Sequence, residues 1–258
     1  MTRLQKLFSS KKDLLSIYYT AGYPQLNATR VVLDALQESG VDFVEIGMPF
    51  SDPLADGPVI QQSGTQALQN GMSLEVLLQQ LADMRPGITM PVVLMGYLNP
   101  VLKFGMERFL ERCAQVGVDG LILPDLPLEN YLEEYRPLFE RYGISNIFLI
   151  TPQTPEERVR KLDAHSNSFL YMVSSAAVTG AKKGLSDFQL DYFRRIKAMQ
   201  LQHPAVVGFG ISDNESYQTV CQYAQGAIIG SAFVKLLGQA KDLKGEIHRF
   251  ISEVKNGK

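Results

Sequence analysis

A short apolar run followed by an amphipathic helical stretch recurs eight times along this chain, and that repetition constrains the fold more than any other feature. The strand-like runs are LSIYYTAG (15–22), VDFVEIG (41–47), PVVLMGY (91–97), DGLILPD (119–125), SNIFLIT (145–151), SFLYMVS (168–174), PAVVGFG (204–210) and GAIIGSA (226–232). Most are nearly continuous hydrophobic stretches, the pattern of strands buried on both faces of a parallel sheet. Helical stripes lie between them. Leu74, Leu77, Leu78 and Leu81 recur at i, i+3, i+4, i+7 behind Ser73 as N-cap, and Asn27 is placed to cap a helix carrying Val31, Val32, Ala35 and Leu36 that ends at Gly40. Eight such units in 258 residues predict a single (β/α)8 TIM barrel over 1–258. An open doubly wound sheet would be expected to carry a G-x-G-x-x-G turn after its first strand, and neither that motif nor a Walker motif is present.

The spacing of the units is uneven. Successive strand starts are 26, 50, 28, 26, 23, 36 and 22 residues apart, so the loops after the second and sixth strands are elaborated. The first begins GMPFSDPLADGP and the second contains SSAAVTGAKKG. Loops after strand C-termini build the active sites of this fold, so both insertions are expected at the reacting end, although surface insertions are also tolerated in such positions.

Composition excludes several classes of function. Lys and Arg number 25 against 27 Asp and Glu, for a formal net charge of -2, which offers no basic surface for nucleic acid or an anionic membrane. No apolar run approaches the roughly 18 residues of a membrane span. Two cysteines, Cys113 and Cys221, cannot form a disulfide framework, and a cytoplasmic location is the simplest expectation. Both lie on helical core stripes and read as packed thiols. The histidines, His165, His203 and His248, fall away from the strand C-termini, and none joins a carboxylate cluster with metal-ligand spacing. No strand carries a lysine for Schiff-base chemistry. The chain is expected to work by carboxylate acid–base chemistry with no metal and no cofactor of its own.

Glu45 leads the candidates for that chemistry. It stands between Val44 and Ile46 near the end of the second strand, where a buried carboxyl is either paired across the barrel or holds a raised pKa that suits proton transfer. Asp56 follows on the elaborated loop, in an Asp-Gly pair that reads equally as a turn. Asp125 ends the fourth strand and serves either the pocket or a loop brace. GFGIS (208–212) and GSA (230–232) close the last two strands, with Gly180 in the sixth loop. Glycines there, with the Ser231 hydroxyl, fit the phosphate site that recurs after strands seven and eight of TIM barrels, or simply tight corners.

The run VEIGMPFSDPLADGPVIQQS resembles the signature of the tryptophan synthase alpha chain family, and YYTAGYP, LMGYLNP, LPDLP, VTGA, GFGIS and IIGSAFV follow in the family's order over nearly the whole chain. The resemblance implies a barrel that cleaves indole-3-glycerol phosphate into indole and glyceraldehyde 3-phosphate. It implies a partner beta chain, holding pyridoxal phosphate, in an α2β2 heterotetramer. It assigns catalysis to Glu45 and Asp56, and the indole pocket to Tyr18, Leu94 and Phe209. Further substrate contacts fall to Tyr97, Asp125, Tyr171 and Thr179, with Thr179 meeting Asp56 from the sixth loop. The phosphate goes to Gly180, Gly210, Gly230 and Ser231, and the partner to Pro49, Asp52 and Asn99. The rival functions are another phosphate-binding barrel lyase or isomerase, which leaves PFSDPLADGP unexplained, and a non-catalytic regulatory barrel, which has no need of Glu45 or Asp56. The loops also hold Met48, Pro49, Phe50, Pro100, Val101, Leu102 and Phe104, expected to form one exposed apolar patch of the kind that docks a partner.

Overall fold

The computed structural model of the protein describes residues 1–53, 56–174 and 185–257. Its strands are β1 (Leu14–Thr20), β2 (Phe43–Gly47), β3 (Val92–Met95), β4 (Gly120–Ile122), β5 (Ser145–Asn146), β6 (Phe148–Ile150), β7 (Leu170–Val173), β8 (Ala205–Gly208) and β9 (Gly226–Ile229). All pairings are parallel, in the order β5-β4-β3-β2-β1-β9-β8-β7-β6. The fifth predicted strand is thus interrupted at Ile147. It still belongs to the barrel wall, since the Ile147 amide donates to the Leu121 carbonyl at 2.9 Å. β5 pairs with β4 and β6 with β7, so this stretch of chain joins the two ends of the sheet and the eight-unit barrel is recovered.

Alternation along each strand sorts the side chains into two cores. Ile17, Tyr19, Val44, Ile46, Val92, Leu94, Leu121, Val207 and Ile229 face outward and pack with the helices. Phe43, Val93, Ile122, Ile147, Tyr171, Val206 and Ile228 face inward. The helix Arg3–Ser10 adds Leu4 and Phe8 to the inner set and plugs the N-terminal end. Phe8, Phe43 and Phe169 form a closed triangle there, with ring centroids 5.0–5.9 Å apart.

Helix ends follow the expected signals with one exception. Ser73 accepts from the Val76 amide at 3.2 Å, and Gly40 turns at φ +72°. Asn27 occupies the cap position but makes no side-chain cap bond. Its backbone is already helical, at φ −86° and ψ −3°, whereas a capping side chain needs an extended residue. Val31 on that helix faces solvent.

The N-terminal rim is held by paired carboxylates. Asp42 accepts from the Leu15 amide at 2.8 Å and from Lys11. Asp119 accepts from the Val92 amide at 2.8 Å and from Arg3 at 2.7 Å, and lies 3.5 Å from the buried Arg85 guanidinium. Asp163 accepts from the amides of Gln202 and His203 at 2.7 and 2.9 Å, with the His203 ring 3.1 Å away. His248 meets Ser39 and Glu38 on the outer helices.

Candidate active site

Glu45 points into the barrel, since its neighbours Val44 and Ile46 belong to the outward layer. Its exposure is 0%, and among the described residues neither carboxylate oxygen has a hydrogen-bond partner. A charged carboxylate is strongly disfavoured in such a place. Burial accordingly pushes its pKa up to about 8. The salt bridge that was the alternative for this position is absent among the described residues.

Asp56 comes to the same chamber from the loop above β2. Its amide donates to the Pro53 carbonyl at 3.1 Å and its own carbonyl accepts from Gln61 at 2.9 Å, which fixes the backbone. Burial raises its carboxyl to about 6, against the opposing effect of the Tyr97 hydroxyl, which donates to Oδ2 at 3.4 Å.

Two further phenols complete the chamber. Tyr18 on β1 is the register partner of Glu45. Its pKa is pushed up by burial and then by the nearby carboxyls of Asp56 and Glu45. Tyr171 on β7 rises through burial, Glu45, Tyr18 and Asp56. Each phenol lies over a glycine of the next strand. A Cβ at Gly47 would fall 2.1 Å from the Tyr18 hydroxyl, and one at Gly208 would fall 2.0 Å from that of Tyr171. Gly208 belongs to the expected GFGIS glycine cluster, whereas no role is expected for Gly47. The signal was available, because Gly47 shares the inward parity of Glu45.

At the end of β8, Phe209 adopts φ +69° and Gly210 φ +75°. A left-handed phenylalanine costs about 1–3 kcal/mol and persists only where its surroundings hold it. Here its carbonyl accepts from the Ser174 hydroxyl and its ring meets Tyr171 edge-on, with centroids 6.2 Å apart. Gly230, at the end of β9, precedes the helix Ser231–Gln239 and lies against the Tyr18 ring, 3.6 Å from a Cβ placed there. Gly210, Gly230 and Ser231 therefore follow the ends of the adjacent strands β8 and β9, and the first amides of that helix are free of intrahelical partners.

Several expectations are corrected. Leu94 is fully buried in the outward layer; Met95 takes the inward position on β3. Asp125 accepts from the Leu98 amide at 2.9 and 3.1 Å and so braces the start of the helix Leu98–Phe104, one of the two roles expected for it. The seven-residue apolar patch is smaller than expected. Met48 turns down over Gly96, where a Cβ would sit 2.8 Å from its Cε, and Val101 is fully buried. Phe50 stacks with Tyr97 at 5.3 Å and Phe104 packs on Phe109 at 5.7 Å. Leu102, 46% exposed, is the one large member open to solvent; Pro49 is half-buried, and Asp52 and Asn99 are exposed. Thr179 and Gly180 lie outside the described residues. Among the described residues no cluster of three or more His, Cys, Asp or Glu could hold a metal ion, and no helix is long and apolar enough to cross a membrane.

A family model for the tryptophan synthase alpha chain matches residues 4–257. The chain belongs to the tryptophan synthase alpha chain family. The alpha chain of Flavobacterium johnsoniae is 50% identical over 255 residues, 99% of this chain and 100% of that one. The crystal structure of tryptophan synthase subunit alpha from Legionella pneumophila is similar with a TM-score of 0.89 at 33% identity, covering 99% of this chain and 97% of that chain. A chain in the crystal structure of the tryptophan synthase complex from Pyrococcus furiosus is similar with a TM-score of 0.86 at 33% identity, covering 95% of this chain and 98% of that chain. Membership of the tryptophan synthase alpha chain family makes this protein a lyase that cleaves indole-3-glycerol phosphate to indole and glyceraldehyde 3-phosphate, in partnership with a beta chain.

Proposed function

We propose that Glu45 and Asp56 carry this cleavage with divided roles, set by the two environments. The observation that carries the reading is the buried, unpartnered Glu45 carboxyl in the barrel mouth. With a pKa near 8 it is protonated at neutral pH, whereas Asp56, near 6, is mostly ionised. Paired groups pushed apart in this way mark acid and base assignments. Glu45 gives its proton to C3 of the indole ring, and the positive charge that develops on the ring N–H is stabilised by the Asp56 carboxylate. The ionised Glu45 then removes the proton from the glycerol hydroxyl next to the ring. The carbon–carbon bond breaks, its electron pair restores the aromatic ring, and the hydroxyl carbon becomes the aldehyde. Glu45 ends protonated, so no net proton is consumed.

Tyr18, Met95, Tyr171 and Phe209 wall the indole pocket, and Tyr97 orients Asp56. The amides around Gly210 and Gly230, with Ser231, take the phosphate, and Gly180 and Thr179 are assigned to the same substrate by resemblance. The chain works without a cofactor of its own, in the cytoplasm, as the alpha half of an α2β2 assembly. Pyridoxal phosphate belongs to the beta chain, which docks around Pro49, Asp52, Asn99 and Leu102 and receives the indole. The test is indole release from indole-3-glycerol phosphate by the purified chain, alone and with the beta chain, for wild type, Glu45→Gln and Asp56→Asn. Loss of turnover in both variants with retained glycerol phosphate binding is expected; near-normal turnover in either overturns its assignment.

A further inference from the structure

We propose that Ser174 and Gln189 are positioning residues for the substrate phosphate: acting in series, they hold the left-handed turn at Phe209 and aim the Gly210 amide at the phosphate. This role rests on the reading of that turn as the phosphate site and names the side chains that set it.

Ser174 follows β7 and is fully buried. Its amide donates to the Gly208 carbonyl at 3.1 Å, and its hydroxyl donates to the Phe209 carbonyl. Those two carbonyls belong to the peptide planes on either side of the Phe209 Cα. One residue therefore fixes both planes, and with them the Phe209 backbone at φ +69°. In a planar trans peptide the C=O and the following N–H point in opposite directions. Tying the Phe209 carbonyl to Ser174 thus turns the Gly210 amide away from Ser174. Among the described residues neither that amide nor the Ile211 amide donates to a protein group, whereas the next one, of Ser212, is taken by Ser216 at 3.2 Å. Successive free amides at a turn make a concavity suited to an anion.

Gln189 secures the Ser174 hydroxyl. It stands in the first turn of the helix Asp187–Ala198, where the amide and the hydroxyl of Ser186 each lie 2.9 Å from its Oε1. A backbone amide can only donate, so the oxygen end of the carboxamide faces Ser186 and the nitrogen end is turned the other way. Nε2 then donates to Ser174 Oγ over a long 3.4 Å. Ser174 accepts there, which leaves its single proton for the Phe209 carbonyl. Both side chains border the turn directly, since a Cβ on Gly210 would lie 3.5 Å from Gln189 Nε2 and 3.5 Å from Ser174 Oγ.

The experiment measures glycerol phosphate binding to the full chain by calorimetry, with indole release alongside. Ser174→Ala frees the Phe209 carbonyl and should weaken binding about tenfold, the worth of one hydrogen bond to a charged group. Gln189→Leu leaves the hydroxyl in place but unsecured and should weaken it about threefold, a fraction of that bond. The double variant should bind no more weakly than Ser174→Ala alone, because Gln189 acts through Ser174. In each, KM for indole-3-glycerol phosphate should rise by the same factor while kcat changes less than about twofold, the mark of lost uniform binding. Ser186→Ala keeps the backbone amide that orients Gln189 and removes the hydroxyl cap. It should lower the urea midpoint and leave affinity unchanged, which separates helix stability from the series. Unchanged affinity in Ser174→Ala overturns the proposal, as do losses that multiply in the double variant. A loss in Ser186→Ala equal to that in Gln189→Leu overturns the part given to Gln189. Unchanged affinity in Gly210→Asp would instead overturn the reading of the turn as the phosphate site.

Discussion

At the N-terminal end of the barrel Asp42, Asp119 and Asp163 each accept at least two hydrogen bonds, while among the described residues Glu45 at the C-terminal end accepts none and Asp56 takes one long bond from Tyr97. The two ends share one sheet and lie a strand's length apart, so the difference comes from the loops. Amides and cations surround the carboxylates at the first end and stabilise their charge. Phenols and apolar rings surround those at the second and resist it. One end spends its acids on stability, and the other leaves them poised to exchange protons.

This contrast predicts opposite responses to the same substitution. Glu45→Gln should cut indole release by about 10³-fold, the middle of the range for a lost proton-transfer group. It should also make the fold more stable in mild alkali. The folded pKa lies above the unfolded one, so the unfolded chain binds fewer protons and wild-type stability falls as pH rises from about 4.5 toward about 8. Urea midpoints of wild type and variant should diverge over that interval, the variant gaining; equal midpoints at pH 5 and pH 8 would break the contrast. Asp119→Ala should do the reverse. It strips the buried Arg85, already pushed down to about 10 by burial and by Arg3, of its counter-charge. A loss of about 3 kcal/mol is expected in urea unfolding, with turnover per folded molecule retained.

Smaller effects sharpen the picture at the C-terminal end. Gly210→Asp meets no hard clash, yet it forces φ +75° on a side chain and sets a negative charge beside the phosphate. Affinity for glycerol phosphate should drop about a hundredfold by calorimetry, and Gly230→Asp should drop similarly by charge. The pH dependence of kcat/KM should be a bell, rising near 6 as Asp56 ionises and falling near 8 as Glu45 loses its proton. A profile with no fall above pH 8 would remove Glu45 as the acid. Last, Pro49→Asp and Asn99→Arg should leave basal indole release intact and reduce activation by the beta chain about fivefold, the lower end of ordinary coupling.

The sequence made Glu45 conspicuous because one charge interrupts an apolar strand, and the glycines of the last two strands stood out because they end such strands. It could not orient Leu94. The run Val92–Met95 has no polar residue to mark a face, so inward Met95 and outward Leu94 look alike until the register with β2 is known. The rim patch failed for a related reason, since hydropathy does not say that Met48 folds under while Leu102 stays out. Asp125 was legible as a brace or a pocket group, and its two bonds to the Leu98 amide favour the brace. Asn27 had the right residue type for a cap, but only the backbone angles reveal that the chain already turns as a helix there.

The plug formed by Leu4 and Phe8, with the aromatic triangle behind it, closes the N-terminal end of the barrel, opposite the end that carries Glu45 and Asp56. Substrate is then expected to enter, and both products to leave, at the C-terminal end. Traffic is then ordered by the door: a second substrate cannot load until the first aldehyde has gone. Whatever covers that door controls the fate of the indole as well as the rate at which it is made.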